Sequence, residues 1–131
     1  SPTGGSAFVL ELAKQKKIQA VTVAHALVEA ERNIEKKLDR KALDRHYQNL
    51  LEVEPEVQDI DRVPIGVATA LEQLLPKKDV PILLGAMLSD AKYLITLDRK
   101  DFIDNKRLKG ADLSFKIVAP GDFLREYLKG I

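Results

Sequence analysis

Residues 79–98 read Asp-Val-Pro-Ile-Leu-Leu-Gly-Ala-Met-Leu-Ser-Asp-Ala-Lys-Tyr-Leu-Ile-Thr-Leu-Asp, and this stretch decides the fold. Asp79 and Pro81 suit the first turn of a helix, and the apolar residues behind them continue it. Residues 93–97 form a short apolar run that is typical of a buried strand ending at Asp98. A helix that leads directly into a buried strand is typical of α/β proteins.

The same alternation extends in both directions from this stretch. Helical spacing of apolar residues predicts helices over 6–17, 24–38, 40–51, 65–75 and 123–129, with Ser6 and Asp39 as N-caps. Apolar runs predict further strands over 18–23 and 115–118, whereas residues 52–61 are typical of an acidic loop. We therefore predict an α/β domain with a parallel sheet between helical layers. Three strands are few for so much helix, which suggests that a strand is missing from the front of the sheet.

Composition excludes several classes of protein. The 131 residues include no cysteine, which removes disulfide scaffolds and thiolate metal sites. The net charge is +1, so any contact with nucleic acid must come from a local basic patch rather than from overall attraction. No apolar run reaches the ~18 residues of a membrane span, and the first residues do not resemble a signal peptide. A single cytoplasmic domain without a membrane partner is the expectation.

Acidic residues follow or begin the predicted elements at the edge where α/β proteins place their ligands. Asp98 comes directly after a strand, Asp79 begins a helix, and Glu29 lies near the start of a helix that follows a strand. Converging carboxylates repel one another unless a hard divalent cation such as Mg²⁺ or Mn²⁺ neutralises them. Taken singly, Asp79 is equally explained as a helix cap, Asp98 as a turn residue, and Glu29 or its neighbour Glu31 as a solvated acid. The spacing does not choose between Glu29 and Glu31.

Other candidate groups have simpler interpretations. The basic residues between 99 and 109 are, by themselves, typical of a solvated loop. His25 and His46 have no partner at metal-ligand spacing and are interpreted as structural or surface histidines.

Together, residues 79–88, 91–102 and 115–124 resemble the C-terminal half of the PIN-domain ribonucleases, a family that includes the toxins of bacterial toxin-antitoxin pairs. The shared pattern is an Asp that opens a helix, a strand that ends in Thr-x-Asp with another Asp shortly after, and a strand that leads through Pro into the last helix. Asp79, Thr96, Asp98 and Asp101 fall on those positions. In the N-terminal half, Glu29 followed by Ala30 looks like the family's helix acid, which favours Glu29 over Glu31.

The resemblance implies a three-layer PIN-like sandwich and a Mg²⁺- or Mn²⁺-dependent endoribonuclease of the toxin type. It implies that Glu29, Asp79 and Asp98 bind the metal and carry catalysis, that Asp101 is a secondary ligand and that Thr96 orients the site. Four basic residues are then expected to hold RNA phosphates: Arg99, Lys100, Lys106 and Arg107. The implied partners are an RNA substrate and an antitoxin protein.

Two departures from the family pattern shape these expectations. Nothing in the chain corresponds to the family's first strand and its Asp, and Val23 stands where the family often has Ser or Thr. We therefore expect residues 1–131 to form one PIN-like domain that is incomplete at its N-terminus, with the gap covered by another strand, a partner chain or a second copy in a homo-oligomer. The alternative function is a catalytically disabled PIN-like module that binds RNA or a protein partner.

Overall fold

Helices and short strands alternate along residues 4–37 and 39–130, the part of the chain that the computed structural model describes. The helices are α1 (Gly5–Lys14), α2 (Ala24–Lys36), α3 (Arg40–Val53), α4 (Ile65–Leu71), α5 (Val80–Leu88), α6 (Lys106–Lys109) and α7 (Pro120–Lys129). The strands are β1 (Val21–Thr22), β2 (Glu56–Val57), β3 (Tyr93–Ile95) and β4 (Lys116–Val118). The predicted helix end at residue 38 lies outside the described residues. Among the helices described, none combines the length and the apolar character that crossing a membrane requires.

The strands form two separate parallel pairs. β1 pairs with β2, Val21 opposite Glu56, and β3 pairs with β4, Leu94 opposite Ile117. The α/β class with parallel strands is therefore confirmed, although the described strands form two sheets rather than one. The prediction of a plain loop over 52–61 is wrong at β2, because its two exposed residues carry no apolar pattern and pair through the backbone alone, Glu56 N–H donating to Ala20 O at 2.9 Å.

Local chemistry explains most helix ends. The side chain of Asp39 accepts a hydrogen bond from Ala42 N–H at 3.0 Å, which confirms the predicted cap of α3. α3 ends where Glu54 adopts a left-handed conformation, and Lys16 donates to the carbonyl of Val53 at 2.9 Å. Several predicted boundaries differ. α1 begins after Gly4 rather than at a Ser6 cap and ends at Lys14, and the strand predicted over 18–23 covers only Val21–Thr22. α4 stops at Leu71, and α7 begins at Pro120, a residue suited to a first helical turn.

The core is built around α5. Leu83 is fully buried, and it belongs to a cluster that also holds Leu94 of β3, Phe102, Leu108 and Phe115. Phe102 and Leu108 fasten the segment between β3 and β4 to this core. On its other side α5 meets the start of α2 so closely that a Cβ on Gly85 would lie 2.4 Å from Val23 Cγ1. Leu94 precedes the segment 98–105 and Leu108 follows it, and both are buried in this core. The core therefore holds both ends of the segment in place.

Candidate metal centre

Three carboxylates converge beside the carboxyl end of β3. Asp79, Asp98 and Asp101 each offer one oxygen, and these three oxygens lie within 4.8 Å of one another. Asp79 immediately precedes α5, Asp98 follows β3, and Asp101 lies in a short π-helical turn over Arg99–Ile103. The structure therefore brings together three of the acids that the sequence singled out.

Asp79 does not act as a simple helix cap. It ends a 3₁₀ turn over Lys77–Asp79, and its side chain accepts no hydrogen bond from the first turn of α5. Its Oδ2 atom is buried and has no hydrogen-bond partner among the described residues. The interpretation of Asp79 as only a cap is therefore wrong, and its carboxylate is left with one unsatisfied oxygen.

Asp98 is held in place by two short-range hydrogen bonds. Its backbone N–H donates to Thr96 Oγ1 at 3.0 Å, and its Oδ1 accepts from the N–H of Asp101 at 3.0 Å. Thr96 is itself fixed by its N–H, which donates to the Val118 carbonyl of β4 at 3.0 Å. Asp98 is thus a turn residue, as one interpretation of the sequence held, and the same turn aims both Asp98 and Asp101 at Asp79.

The pKa of the Asp79 carboxyl is raised from its ordinary 3.8 to about 6. Burial is the main cause, followed by a hydrogen bond and a charge interaction with Asp101 and by the charge of Asp98. The neighbouring Lys78 acts in the opposite direction and lowers that pKa. The group therefore holds more negative charge than its own surroundings neutralise. An orphaned carboxylate oxygen and three hard oxygen donors fit a bound divalent cation.

The burial of Asp79 and its repulsion by the neighbouring acids predict that Asp79→Asn stabilises the metal-free protein. Because the pKa of Asp79 is higher in the folded than in the unfolded chain, the free energy of unfolding falls as the pH rises from about 4 to about 6. The Asn side chain does not ionise, so the free energy of unfolding of Asp79→Asn does not fall in this way as the pH rises. Since solvent reaches this half-buried group and screens part of the repulsion, we expect a gain of about 1 to 2 kcal/mol at pH 7.5 in the presence of a chelator.

Thermal unfolding of wild type and Asp79→Asn at pH 4 and pH 7.5 measures this difference. The two proteins should have similar Tm values at pH 4 and diverge at pH 7.5. Asp112→Asn, which changes an exposed acid outside the group, is the control and should alter neither value. A lower Tm for Asp79→Asn at pH 7.5 would contradict the prediction.

Asn105 holds the segment that carries Asp98 and Asp101 to the rest of the domain, a role that the sequence analysis did not predict. Its Nδ2 donates to the carbonyls of Leu74 at 2.8 Å and Asp101 at 2.9 Å. Its Oδ1 accepts from the N–H groups of Arg107 and Leu108 and so caps α6. An Asn directly before Lys-Arg-Leu-Lys was an available N-cap signal, but the bridge to Leu74 crosses 31 positions and has no local signature.

Asn105→Ala should destabilise the protein by about 2 kcal/mol, because it removes a helix cap and leaves two carbonyls without their donor. The matched control is Asp39→Ala, which removes one exposed capping bond and should cost about 1 kcal/mol. Urea unfolding of both variants gives the comparison. Equal losses would mean that the bridge to Leu74 and Asp101 contributes nothing beyond the cap.

The four predicted phosphate-binding residues are all exposed, but they differ in their contacts. Arg107 donates from Nη1 to the carbonyl of Gln73 at 2.8 Å, and Arg99 forms an ion pair with Asp104 at 3.4 Å. Lys100 and Lys106 form no ion pair with any described residue. Arg99 and Lys100 share the π-helical turn with Asp101, so they are close to the acidic group along the chain. Their contact with RNA stays a prediction.

Glu29 is not brought into the acidic group. It is exposed on α2, where its Oε1 lies 3.4 Å from Nε2 of His25 one turn earlier. Glu31 is directed toward α3, where it hydrogen-bonds Tyr47 and raises the pKa of that phenol. Neither acid completes the site in this structure. His25 contacts Glu29 through Nε2, and among the described residues it belongs to no group of acids and histidines that could hold a metal.

The site therefore consists of three carboxylates and the amide of Asn105 that fastens their segment. Arg99 and Lys100, exposed on the same turn as Asp101, form a basic rim. No protein-family model, curated protein or solved structure matches the chain. The chemistry of the site is therefore inferred from these side chains alone.

Proposed function

We propose that the chain is a PIN-like domain in which Asp79, Asp98 and Asp101 bind Mg²⁺ or Mn²⁺, and that it cleaves RNA phosphodiester bonds as a toxin-type endoribonuclease. The single observation that carries the proposal is the convergence of these three carboxylates within 4.8 Å. The parallel strand pairs and the helices packed on them are compatible with a three-layer PIN-like sandwich.

The donor set favours a hard divalent cation. Three carboxylates that repel one another, one of them with a buried oxygen that lacks a partner, gain most from an ion of charge +2 with oxygen preference. Such an ion supplies an activated water and neutralises developing charge on a phosphodiester. Thr96 and the Asp101 N–H fix the orientation of Asp98. Because the pKa of Asp79 is raised to about 6, this carboxylate becomes a full ligand only above about pH 6.

A polyanionic substrate fits the surroundings of the site. Arg99 and Lys100 lie on the same turn as Asp101, and Lys78 lies beside Asp79. Because the whole chain has a net charge of only +1, this cluster is a local feature rather than part of a general positive surface. Lysine and arginine beside an acidic metal site are suited to hold the phosphates that flank a scissile bond.

The placement of Glu29 favours a second candidate function. A group of three acids without the predicted helix acid suits a catalytically disabled module that binds RNA or a protein partner such as an antitoxin. In that case the basic rim supplies the affinity, and the metal is dispensable for binding.

Cleavage of a mixed pool of single-stranded and structured RNA distinguishes the two functions. The nuclease cleaves the pool with Mn²⁺ or Mg²⁺ and stops when a chelator is added. The binding module retains RNA affinity in the chelator and cleaves under neither condition. Neither cleavage nor RNA affinity, with any of these additions, would reject the nuclease and the RNA-binding module, and would leave binding of a protein partner as the second function.

A further inference from the structure

The three carboxylates of the acidic group come from two segments of the chain, 72–79 and 98–109. Asp98 and Asp101 belong to the second segment, where the hydrogen bond from Asp101 N–H to Asp98 Oδ1 holds them together. Asp79 ends the 3₁₀ turn of the first segment. The distance between Asp79 and the other two acids therefore depends on what joins the two segments.

Two hydrogen bonds join these segments, and both are donated by side chains at the start of α6. Asn105 Nδ2 donates to the carbonyl of Leu74 at 2.8 Å. Arg107 Nη1 donates to the carbonyl of Gln73, also at 2.8 Å. Apart from the contact between the acids themselves, no further hydrogen bond or ion pair links the two segments among the described residues. These two bonds are thus the polar link between the segments, beside the packing of the core.

The accepting carbonyls belong to the turn in which α4 ends. The last carbonyls of a helix have no donor within the helix, and basic side chains are suited to replace it. Gln73 O and Leu74 O accept no backbone hydrogen bond among the described residues. Asn105 and Arg107 therefore satisfy groups that α4 leaves open, and the guanidinium charge also favours the negative end of that helix.

The amide of Asn105 also binds the backbone of one of the acids. The Nδ2 atom that reaches Leu74 donates to Asp101 O at 2.9 Å, so one NH₂ group holds a carbonyl on each segment. Its Oδ1 atom accepts from the N–H groups of Arg107 and Leu108, which fixes the plane of the amide and the start of α6. Asn105 and Arg107 thus form one hydrogen-bonded unit, a clamp across the two segments.

We propose that this clamp positions the acidic group for the divalent ion of the proposed function, on which the inference rests. Asn105 and Arg107 are positioning residues and not ligands. They keep Asp101 at the distance from Asp79 at which both carboxylates reach the same ion. Arg107 is thereby assigned a role other than the phosphate contact that the family resemblance implies, because its Nη1 is already engaged by a carbonyl.

Preorganisation is the physical reason for this effect. Carboxylates repel one another in the absence of an ion, so a group that is free to separate does so. Binding an ion then costs the free energy of bringing the ligands together again, and a clamp supplies that free energy beforehand. Loss of groups that hold metal ligands from outside commonly weakens metal binding about ten- to a hundredfold.

Titration of the full chain with Mn²⁺ compares two substitutions on α6 that remove the same charge. Arg107→Met removes the bond to Gln73, whereas Lys109→Met removes an exposed charge that forms no ion pair with any described residue. Loss of a positive charge near an acidic group favours cation binding, so Lys109→Met should bind Mn²⁺ at least as tightly as wild type. Arg107→Met should bind it at least about tenfold more weakly. Equal affinities of the two variants would overturn the clamp alone, and a wild-type chain that binds no Mn²⁺ would overturn the clamp together with the metal centre.

Asn105→Ser separates the clamp from the helix cap. A Ser hydroxyl is a good cap for α6, but it is shorter and its single hydrogen cannot serve the carbonyls of both Leu74 and Asp101. Asn105→Ser should therefore bind Mn²⁺ at least about tenfold more weakly. Asp39→Ala, which loses a cap on α3, is the control for reduced stability and should keep the wild-type affinity at a temperature where circular dichroism shows every variant folded. Wild-type affinity in Asn105→Ser would contradict the proposal.

RNA affinity in a chelator distinguishes positioning from a phosphate contact. Arg107→Met and Lys109→Met each lose one positive charge, so a clamp predicts equal, small losses of affinity for the RNA pool. A phosphate contact predicts a larger loss in Arg107→Met. With excess Mn²⁺, the cleavage rate of Arg107→Met should return toward that of wild type with an unchanged KM for RNA. A larger loss of RNA affinity in Arg107→Met, or a raised KM that Mn²⁺ does not correct, would return Arg107 to RNA binding and overturn its place in the clamp.

Discussion

Asp98→Asn is expected to reduce metal-dependent RNA cleavage by at least about a thousandfold, ~4 kcal/mol of transition-state stabilisation. The substitution leaves an oxygen that can still accept the hydrogen bond from Asp101 N–H, so the turn should persist. It removes the negative charge that makes Asp98 a ligand for a hard cation. The free energy of unfolding should therefore change by less than about 1 kcal/mol.

Initial rates of cleavage with Mn²⁺, measured beside urea unfolding of the same preparations, give both quantities. Asp112→Asn provides the control, because it removes an exposed carboxylate of the same kind outside the acidic group. It should retain the wild-type rate. Survival of cleavage in Asp98→Asn would exclude the proposed metal site, and equal loss in both variants would indicate a general effect of charge.

Gly85→Ala is expected to destabilise the fold by about 2 to 4 kcal/mol, although alanine is the better helix former. The added Cβ would lie 2.4 Å from Cγ1 of Val23, a side chain that is 3% exposed and therefore has little room to move. The gain of about 1 kcal/mol in helix propensity does not offset such overlap. Thermal unfolding should show a clear fall in Tm.

A second substitution identifies the cause. Val23→Ala removes the methyl group that the new Cβ would meet, so the double variant should recover part of the stability lost in Gly85→Ala. Gly66→Ala is the matched control on α4, where a Cβ would have nothing within 4 Å. It should be neutral or stabilising by up to about 1 kcal/mol. Additive losses in the double variant would rule out the contact as the cause.

The sequence was informative where local pattern and burial agree. The apolar run behind Pro81 and the run that ends before Asp98 predicted α5 and β3, which lie at the core. The same run located Asp98 at a strand end, and the turn chemistry of Thr96 and Asp98 is local enough to be visible in sequence. Two of the three acids in the group therefore followed from their positions, whereas Asp101 was implied by the family resemblance.

Features set by distant contacts were harder to predict. β2 consists of two exposed residues that carry no periodicity and owe their conformation to pairing with β1. Asn105 acts through a carbonyl 31 positions away. Glu29 lies near the start of its helix as expected, but the packing of that helix leaves Glu29 exposed beside His25, one turn earlier, and outside the acidic group. Orientation depends on packing, to which a residue's position in the sequence is only a weak guide.

If the acidic group binds the ion proposed above, the way this group is fastened to the core makes the lifetime of the protein depend on the supply of that ion. Asp79 and Asp101 are followed directly by Val80 and Phe102, both buried in the central cluster, so unfolding of that cluster must scatter the carboxylates. An ion bound by all three is then released, so the free energy of unfolding depends on the concentration of the free ion. A hundredfold excess over the dissociation constant adds about 2.7 kcal/mol to the free energy of unfolding. With the proposed ion bound, a cell short of divalent ions would expose the open chain to its proteases about a hundred times more often, and would thereby lower the amount of the protein.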